Sequence, residues 1–134
     1  MKEQKPSNVT ARYHFTRGDI AQGFREAEVV VERTYTTGRL HQSYLEPQAV
    51  VAVPDAVTGG ITIYTSTQGQ FYVRNQVADA LGVSQQRVRV VPMMVGGGFG
   101  GKILLLQPLA GALAMMLRRP VRIVLTRRDD FLLG

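Results

Sequence analysis

The chain has 134 residues, 45% of them apolar and 19% charged, an ordinary globular mixture that excludes a disordered chain. With no cysteine it can hold neither a disulfide framework nor an iron–sulfur cluster of its own, and two histidines, His14 and His41, are too few for a zinc site without carboxylate help. The net charge is +6, carried by 13 arginines against 3 lysines, but the arginine-rich stretch from Arg118 to Arg128 has no interleaved aromatics, so nucleic acid is not an expected partner. No apolar run reaches the roughly 18 residues of a membrane span. The first residues lack the apolar segment of a secretory signal, and the expected location is cytoplasmic.

Residues 1–8 read as a polar tail, and Asn8–Phe15 alternates like an edge strand. Asp19 is placed as the N-cap of a short helix to about Ala27, with Ile20, Phe24 and Ala27 as its apolar stripe. Glu28–Thr37 is rich in β-branched residues and reads as a strand, broken by Gly38. Gln48–Val53 and Ile61–Ser66 flank Pro54-Asp55 and Thr58-Gly59-Gly60 and form a hairpin. A helix is expected from about Phe71 to Leu81, with Val73, Val77, Ala80 and Leu81 on one face and Gly82 as the residue that ends it. Ser84–Arg87 is a capped single turn and Arg87–Pro92 a strand. A long apolar helix is then expected from the glycine run to about Leu117, stopped by Arg118, Arg119 and Pro120, with a last strand over Val121–Thr126. Helices and strands in this order give an α+β fold with a mixed sheet and packed helices. The sequence breaks off just after Phe131-Leu-Leu and reads as a fragment of something larger.

Between strand and helix lies Gly96-Gly-Gly-Phe-Gly-Gly101-Lys102. Five glycines in six positions cost conformational entropy and need a return. The return expected is close backbone approach to an anionic or oxygen-rich ligand, aided by the N-terminus of the next helix; a tight structural turn is the plainer reading. The run satisfies the dinucleotide pattern Gly96-x-Gly98-x-x-Gly101, yet the acidic residue that should end the next strand is missing, and Arg127 could serve only a 2′-phosphate. It also satisfies most of the phosphate-loop pattern, but Ile103 stands where a magnesium-binding Ser or Thr belongs.

The run has company: His41-Gln-Ser-Tyr-Leu-Glu46-Pro47, Ser66-Thr-Gln68-Gly69, Arg74, Leu81-Gly82-Val83 and Val88-Arg89-Val90 precede it in that order. This series resembles the molybdenum-binding large subunit of the xanthine dehydrogenase and aldehyde oxidase family, from about Asn8 to Phe131. The resemblance implies a partial molybdopterin-binding domain over residues 9–134 and an oxidoreductase that hydroxylates an aldehyde or a heterocyclic or aromatic carbon with oxygen from water. It implies a molybdenum–molybdopterin cofactor, in its cytosine dinucleotide form in bacterial relatives, with iron–sulfur clusters and FAD on partner domains or subunits. The partners implied are the rest of the large subunit, an iron–sulfur subunit, a flavin subunit and a small-molecule substrate. By the same resemblance Gln68 donates its amide to a metal oxo group, while Gly69, Gly97, Gly98, Phe99, Gly100 and Gly101 line the cofactor. Gln68 and Phe99 would stand beside the metal without coordinating it. Phe99 could equally anchor the loop on the core, and Lys102 could touch a phosphate. Ile103 occupies the substrate-pocket position where purine-hydroxylating members carry glutamate, which points to a less polar substrate. No catalytic residue is expected in this segment, because the family's general base lies downstream of Gly134; Glu46 has a structural place. The competing reading is a stand-alone module that binds a pterin or a nucleotide phosphate and catalyses nothing.

Overall fold

A computed structural model describes residues 11–133, as two compact units that divide at Gly38 and Arg39. In the first unit, Asp19 Oδ1 accepts the Gln22 amide at 2.9 Å and starts helix α1 (Ile20–Glu26), as its capping chemistry predicts. The two strands expected in this unit do not form where the chain is described: residues 11–15 and 28–37 join no ladder. A β-branched composition reports fit to a pleated, half-buried surface and cannot by itself supply a hydrogen-bonding neighbour. Residues 8–10 of the first expected strand, and the polar tail, lie outside the described residues.

The second unit is built on a four-stranded mixed sheet: β1 (Ala49–Pro54), β2 (Ile61–Thr65), β3 (Val88–Pro92) and β4 (Val121–Val124), in the order β3-β2-β1-β4. β1 and β2 form the expected antiparallel hairpin, registered from Val50 opposite Thr65 to Pro54 opposite Ile61. Asp55 locks its turn, Oδ1 accepting the Val57 amide at 2.9 Å and Oδ2 the Thr58 hydroxyl at 2.7 Å. β3 adds parallel to β2, and β4 antiparallel to β1.

Helices α2 (Gln70–Leu81) and α3 (Gln107–Leu117) pack on the sheet. α2 buries Val73, Val77 and Ala78, whereas Ala80, expected on that face, is exposed. Gly82 ends α2 at φ +64°, the left-handed cap its position predicts. With Val50, Ala52, Ile61, Ile63 and Val88 from the strands, and Leu106, Ala110 and Ala114 around α3, these residues form one core. Burying this apolar surface, at roughly 25 cal/mol per Å², is what holds the helices on the sheet.

The long helix does not begin at the glycine run. Residues 101–106 are a series of bends, and α3 starts only at Gln107. Gln107 Oε1 accepts the Leu105 amide at 2.8 Å, and its Nε2 donates to Thr65 Oγ1 at 3.0 Å within the core. Pro108 then enters the first helical turn, where it lacks no needed amide. After β4 the chain turns into the short helix α4 (Arg127–Leu133), with Thr126 Oγ1 accepting the Asp129 amide at 3.2 Å.

Candidate functional site

Two segments meet beyond the ends of β2 and β3: Ser66–Gly69 and the glycine run. Their joint is backbone to backbone and side chain to backbone. The Gln68 amide donates to Lys102 O at 2.8 Å, and Thr67 Oγ1 donates to the carbonyls of Lys102 and Ile103 at 3.3 and 3.1 Å. Thr67 also accepts the Gly69 amide at 3.1 Å. A hydroxyl that both donates and accepts is what lets residue 67 tie its own turn to a segment 35 positions away.

Gln68 itself reaches the loop. Its Oε1 accepts the Gly100 amide at 3.1 Å and the Lys102 amide at 3.4 Å. Two backbone donors at one end of a carboxamide fix which end is oxygen. Nε2 is therefore the outer atom, and it donates to no group among the described residues. Gly98 makes this closeness possible: a Cβ there would stand 2.5 Å from Gln68 Oε1, where no atom fits.

The loop turns across Gly98–Gly101, with the Gly101 amide donating to Gly98 O at 2.8 Å. Phe99 and Gly100 take φ +50° and +90°, the values of a type I′ turn. For a bulky side chain the left-handed region costs on the order of 1–2 kcal/mol. Phe99 gains no burial in exchange, since it is 75% exposed, so it does not anchor the loop on the core. Strain of this kind, carried by an exposed aromatic, is a mark of functional sites.

Fewer loop amides are free than the glycine count suggests. Those of Gly96, Gly100, Gly101 and Lys102 are all engaged within the protein. The amides of Gly97, Gly98 and Phe99 have no acceptor among the described residues. Nor does a helix N-terminus point at the run, because α3 begins five residues past Lys102. Both nucleotide readings fail with it, since each needs the glycines to open a helix.

Lys102 is not free for a phosphate either. It is 1% exposed, and its Nζ lies 2.5 Å from Glu46 Oε2 and 4.9 Å from the centre of the Tyr44 ring. The same Glu46 oxygen accepts the Gly96 amide at 2.7 Å. One carboxylate thus clasps both ends of the glycine run. Burial pushes the Glu46 carboxyl up, but the Lys102 ammonium and the Gly96 amide outweigh it and hold the group below its ordinary value.

Ile103 is 40% exposed, and its Cγ2 lies 3.8 Å from where a Gly69 side chain would begin. The residues singled out in the sequence, Gln68, Gly69, Gly97–Gly101 and Ile103, are therefore neighbours. What the sequence reading missed lies behind them: Tyr44, Gln48 and Asp130, all buried. Tyr44 OH and the Gln48 amide each donate to Asp130 Oδ1 at 3.2 Å. Burial raises the Tyr44 phenol above its ordinary value; the Gln48 hydrogen bond opposes this and the Asp130 charge adds to it. Asp130 lies 82 and 86 residues from these partners, and no local pattern could have linked them.

Comparison with known proteins places the chain in a family. The whole chain, residues 1–134, matches the molybdopterin cofactor-binding domain family, and it belongs to that family. It is 38% identical over 124 residues to a probable xanthine dehydrogenase subunit of Bacillus subtilis (strain 168), covering 92% of this chain and 16% of that protein. It is 36% identical over 125 residues to the nicotinate dehydrogenase large molybdopterin subunit of Eubacterium barkeri, covering 92% and 29%. Among solved structures, quinoline 2-oxidoreductase from Pseudomonas putida 86 superposes with a TM-score of 0.72 at 29% identity, covering 85% of this chain and 15% of that one. The chain thus spans less than a third of the length of these relatives. The α+β fold with a mixed sheet is the one expected, and no helix among the described residues is long and apolar enough to cross a membrane.

Proposed function

We propose that this chain forms one wall of a molybdenum–molybdopterin site in an oxidoreductase that hydroxylates an aldehyde or an aromatic or heterocyclic carbon. The observation that carries the reading is the Gln68 carboxamide, oriented by Gly100 and Lys102 so that a neutral N–H donor is left over at its outer end. A neutral donor suits an oxo ligand, because it can hold the oxygen without protonating it. The free amides of Gly97, Gly98 and Phe99 suit further oxygen acceptors on a pterin. Among the described residues no three of His, Cys, Asp or Glu gather to grip a metal ion, so the donors on this wall suit a metal held by its own organic ligand. The residues present therefore fit the group.

When bound, the cofactor supplies the two-electron redox chemistry and the oxygen transfer from water. This chain's part is to hold and orient. Gln68 Nε2 fixes the position of a ligand oxygen, Gly69 and the 97–101 loop line the cofactor, and Phe99 walls the space beside it. Ile103 presents a methyl-bearing surface at the substrate position, which favours a less polar substrate over a purine. The cytosine dinucleotide form of the cofactor belongs to this reading. So do iron–sulfur and flavin partners that take the electrons onward, the remainder of a large subunit that brings the general base, and a cytoplasmic location.

The test is Gln68→Ala in the complete protein that carries this chain, purified as expressed. Molybdenum and pterin content are measured alongside the paramagnetic resonance of the half-reduced metal. Loss of an outer hydrogen-bond partner should lower metal occupancy or turnover about tenfold or more and alter the spectrum. Unchanged content and an unchanged spectrum would remove Gln68 from the site. A wild-type protein free of molybdenum and pterin would overturn the whole reading.

A further inference from the structure

We infer that Asp130 on α4, and Tyr44 and Gln48 just before β1, are positioning residues: they set the glycine turn, and through it the orientation of Gln68. The functional meaning of this rests on the reading of the turn just given, while its geometry does not.

The hydrogen bonds diverge from the Gln48 carboxamide nitrogen. Gln48 Nε2 donates one hydrogen to Gly101 O at 2.9 Å and the other to Tyr44 OH at 3.2 Å. Tyr44 OH then donates to Asp130 Oδ1. A hydroxyl that has spent its proton on a carboxylate offers a lone pair to Gln48, so Asp130 decides which way the whole chain points. Asp130 is itself fixed. It is fully buried, and Arg127 Nη1 donates to its Oδ2 at 3.1 Å. The same guanidinium donates to the carbonyls of Tyr44 and Leu45, which holds the Tyr44 backbone against α4. His41 closes the cluster, its ring centroid 4.8 Å from that of Tyr44 and 4.5 Å from that of Phe131.

The link to the site is a single peptide plane. Gly101 O and the Lys102 amide belong to the same rigid unit. Gln48 holds its carbonyl end, and Gln68 Oε1 holds its amide end. A rotation of that plane cannot move one end alone, so loss of the Gln48 bond frees the peptide that orients Gln68. The Tyr44 side chain also backs the turn sterically, since a Cβ on Gly101 would meet its Cε1 at 2.8 Å.

The experiment is Gln48→Met in the complete protein, which keeps side-chain length and deletes both donors. Hydrogen exchange is followed at the amides of Gly100, Gly101 and Lys102 and at those of β2 and α2. Of the two bonds lost, the part-buried one to Gly101 O is the one that reaches the loop, and its loss should speed the three loop amides roughly fivefold to tenfold and leave the sheet and helix within about twofold. Loop amides that do not change would overturn the inference. So would loop and sheet amides that accelerate equally, because that is a loss of stability and not of position. If Gln48→Met does not fold, Tyr44→Phe removes one hydroxyl and is read in the same way. The conservative variant gives a second check. Asp130→Asn keeps an acceptor for Tyr44 but turns an N–H toward Arg127, so it should loosen the loop less than Asp130→Ala; the opposite order would also overturn the inference. These readouts hold with or without bound cofactor. A protein that lacks molybdenum would sink the proposed function and leave this inference standing.

Discussion

Replacing Glu46 should destabilise the protein more than replacing its partner Lys102, even though the two form one ion pair. The Lys102 side chain is fully buried, while that of Glu46 is 35% exposed. Glu46→Ala strands a buried ammonium that keeps only the Tyr44 ring face, 4.9 Å from its centroid. Removing one partner of a buried pair costs about 3–5 kcal/mol, and the partial exposure of this pair places it near the lower end. Lys102→Met takes the buried cation away and fills its volume with apolar atoms. Glu46 then keeps the Gly96 amide and solvent, so the loss should be nearer 1 kcal/mol. The double variant should be no worse than Glu46→Ala alone, a coupling of about 1–2 kcal/mol. Urea unfolding at neutral pH of wild type, both singles and the double measures all three quantities. The carboxyl is held below its ordinary value of 4.5, so its stabilisation is complete above that pH and disappears as pH falls through the lower folded value. The gap between wild type and Glu46→Ala should therefore close in acid. If Lys102→Met costs as much as Glu46→Ala, or the two add independently, the pair does not work as described.

Gly98→Ala should separate fold from site. Its new methyl would meet the carboxamide end of an exposed Gln68, which can swing away, so unfolding free energy should change by less than about 1 kcal/mol. Molybdenum content should fall as it does for Gln68→Ala; a fully loaded variant would contradict the placement of Gln68. Phe99→Gly should raise the melting temperature, because it relieves roughly 1 kcal/mol of left-handed strain at a side chain that buries little. Under the proposed function, the same change in the complete protein should slow turnover or shift substrate preference. A lower melting temperature would mean that Phe99 packs against something it does not touch here.

What could be read in the sequence was whatever chemistry acts over a few residues. The Asp19 cap, the Asp55 turn, the hairpin and the Gly82 helix end are each decided within about one turn of chain, and each was legible. The strand expected over 28–37 was not, because a strand is completed by a neighbour that its own residues do not encode. The start of α3 was misplaced for a related reason. Ile103–Leu106 are apolar enough for a helix, but Thr67 takes the carbonyls at 102 and 103, and Gln107 takes the Leu105 amide. Those competitors stand two to 36 positions away. In the candidate site Gln68 and the glycines were visible because the motif is linear. Tyr44, Gln48 and Asp130 were invisible because their meaning lies in separations of 53 to 86 residues.

The glycine run illustrates how a correct location can come with an incomplete reason. From the sequence its glycines look cleared for a ligand. In the structure three of them are cleared for protein: a Cβ on Gly96 would stand 2.6 Å from Glu46 Cβ, one on Gly98 2.5 Å from Gln68 Oε1, and one on Gly101 2.8 Å from Tyr44 Cε1. The first obstacle is the base of a side chain and cannot retreat; the second is a flexible tip. Gly96 therefore belongs to the clasp that closes the loop, and Gly98 to the seat of Gln68. Most of the amides thought to await an anion are consumed in holding the loop's shape. Under the proposed function, the ligand-facing chemistry contracts to one carboxamide nitrogen, three consecutive amides and a strained phenylalanine. A surface this sparse suits a cofactor that brings its own metal ligands and asks the protein only for position. Position, in turn, is what the Glu46 clasp and the buried chain from Asp130 supply.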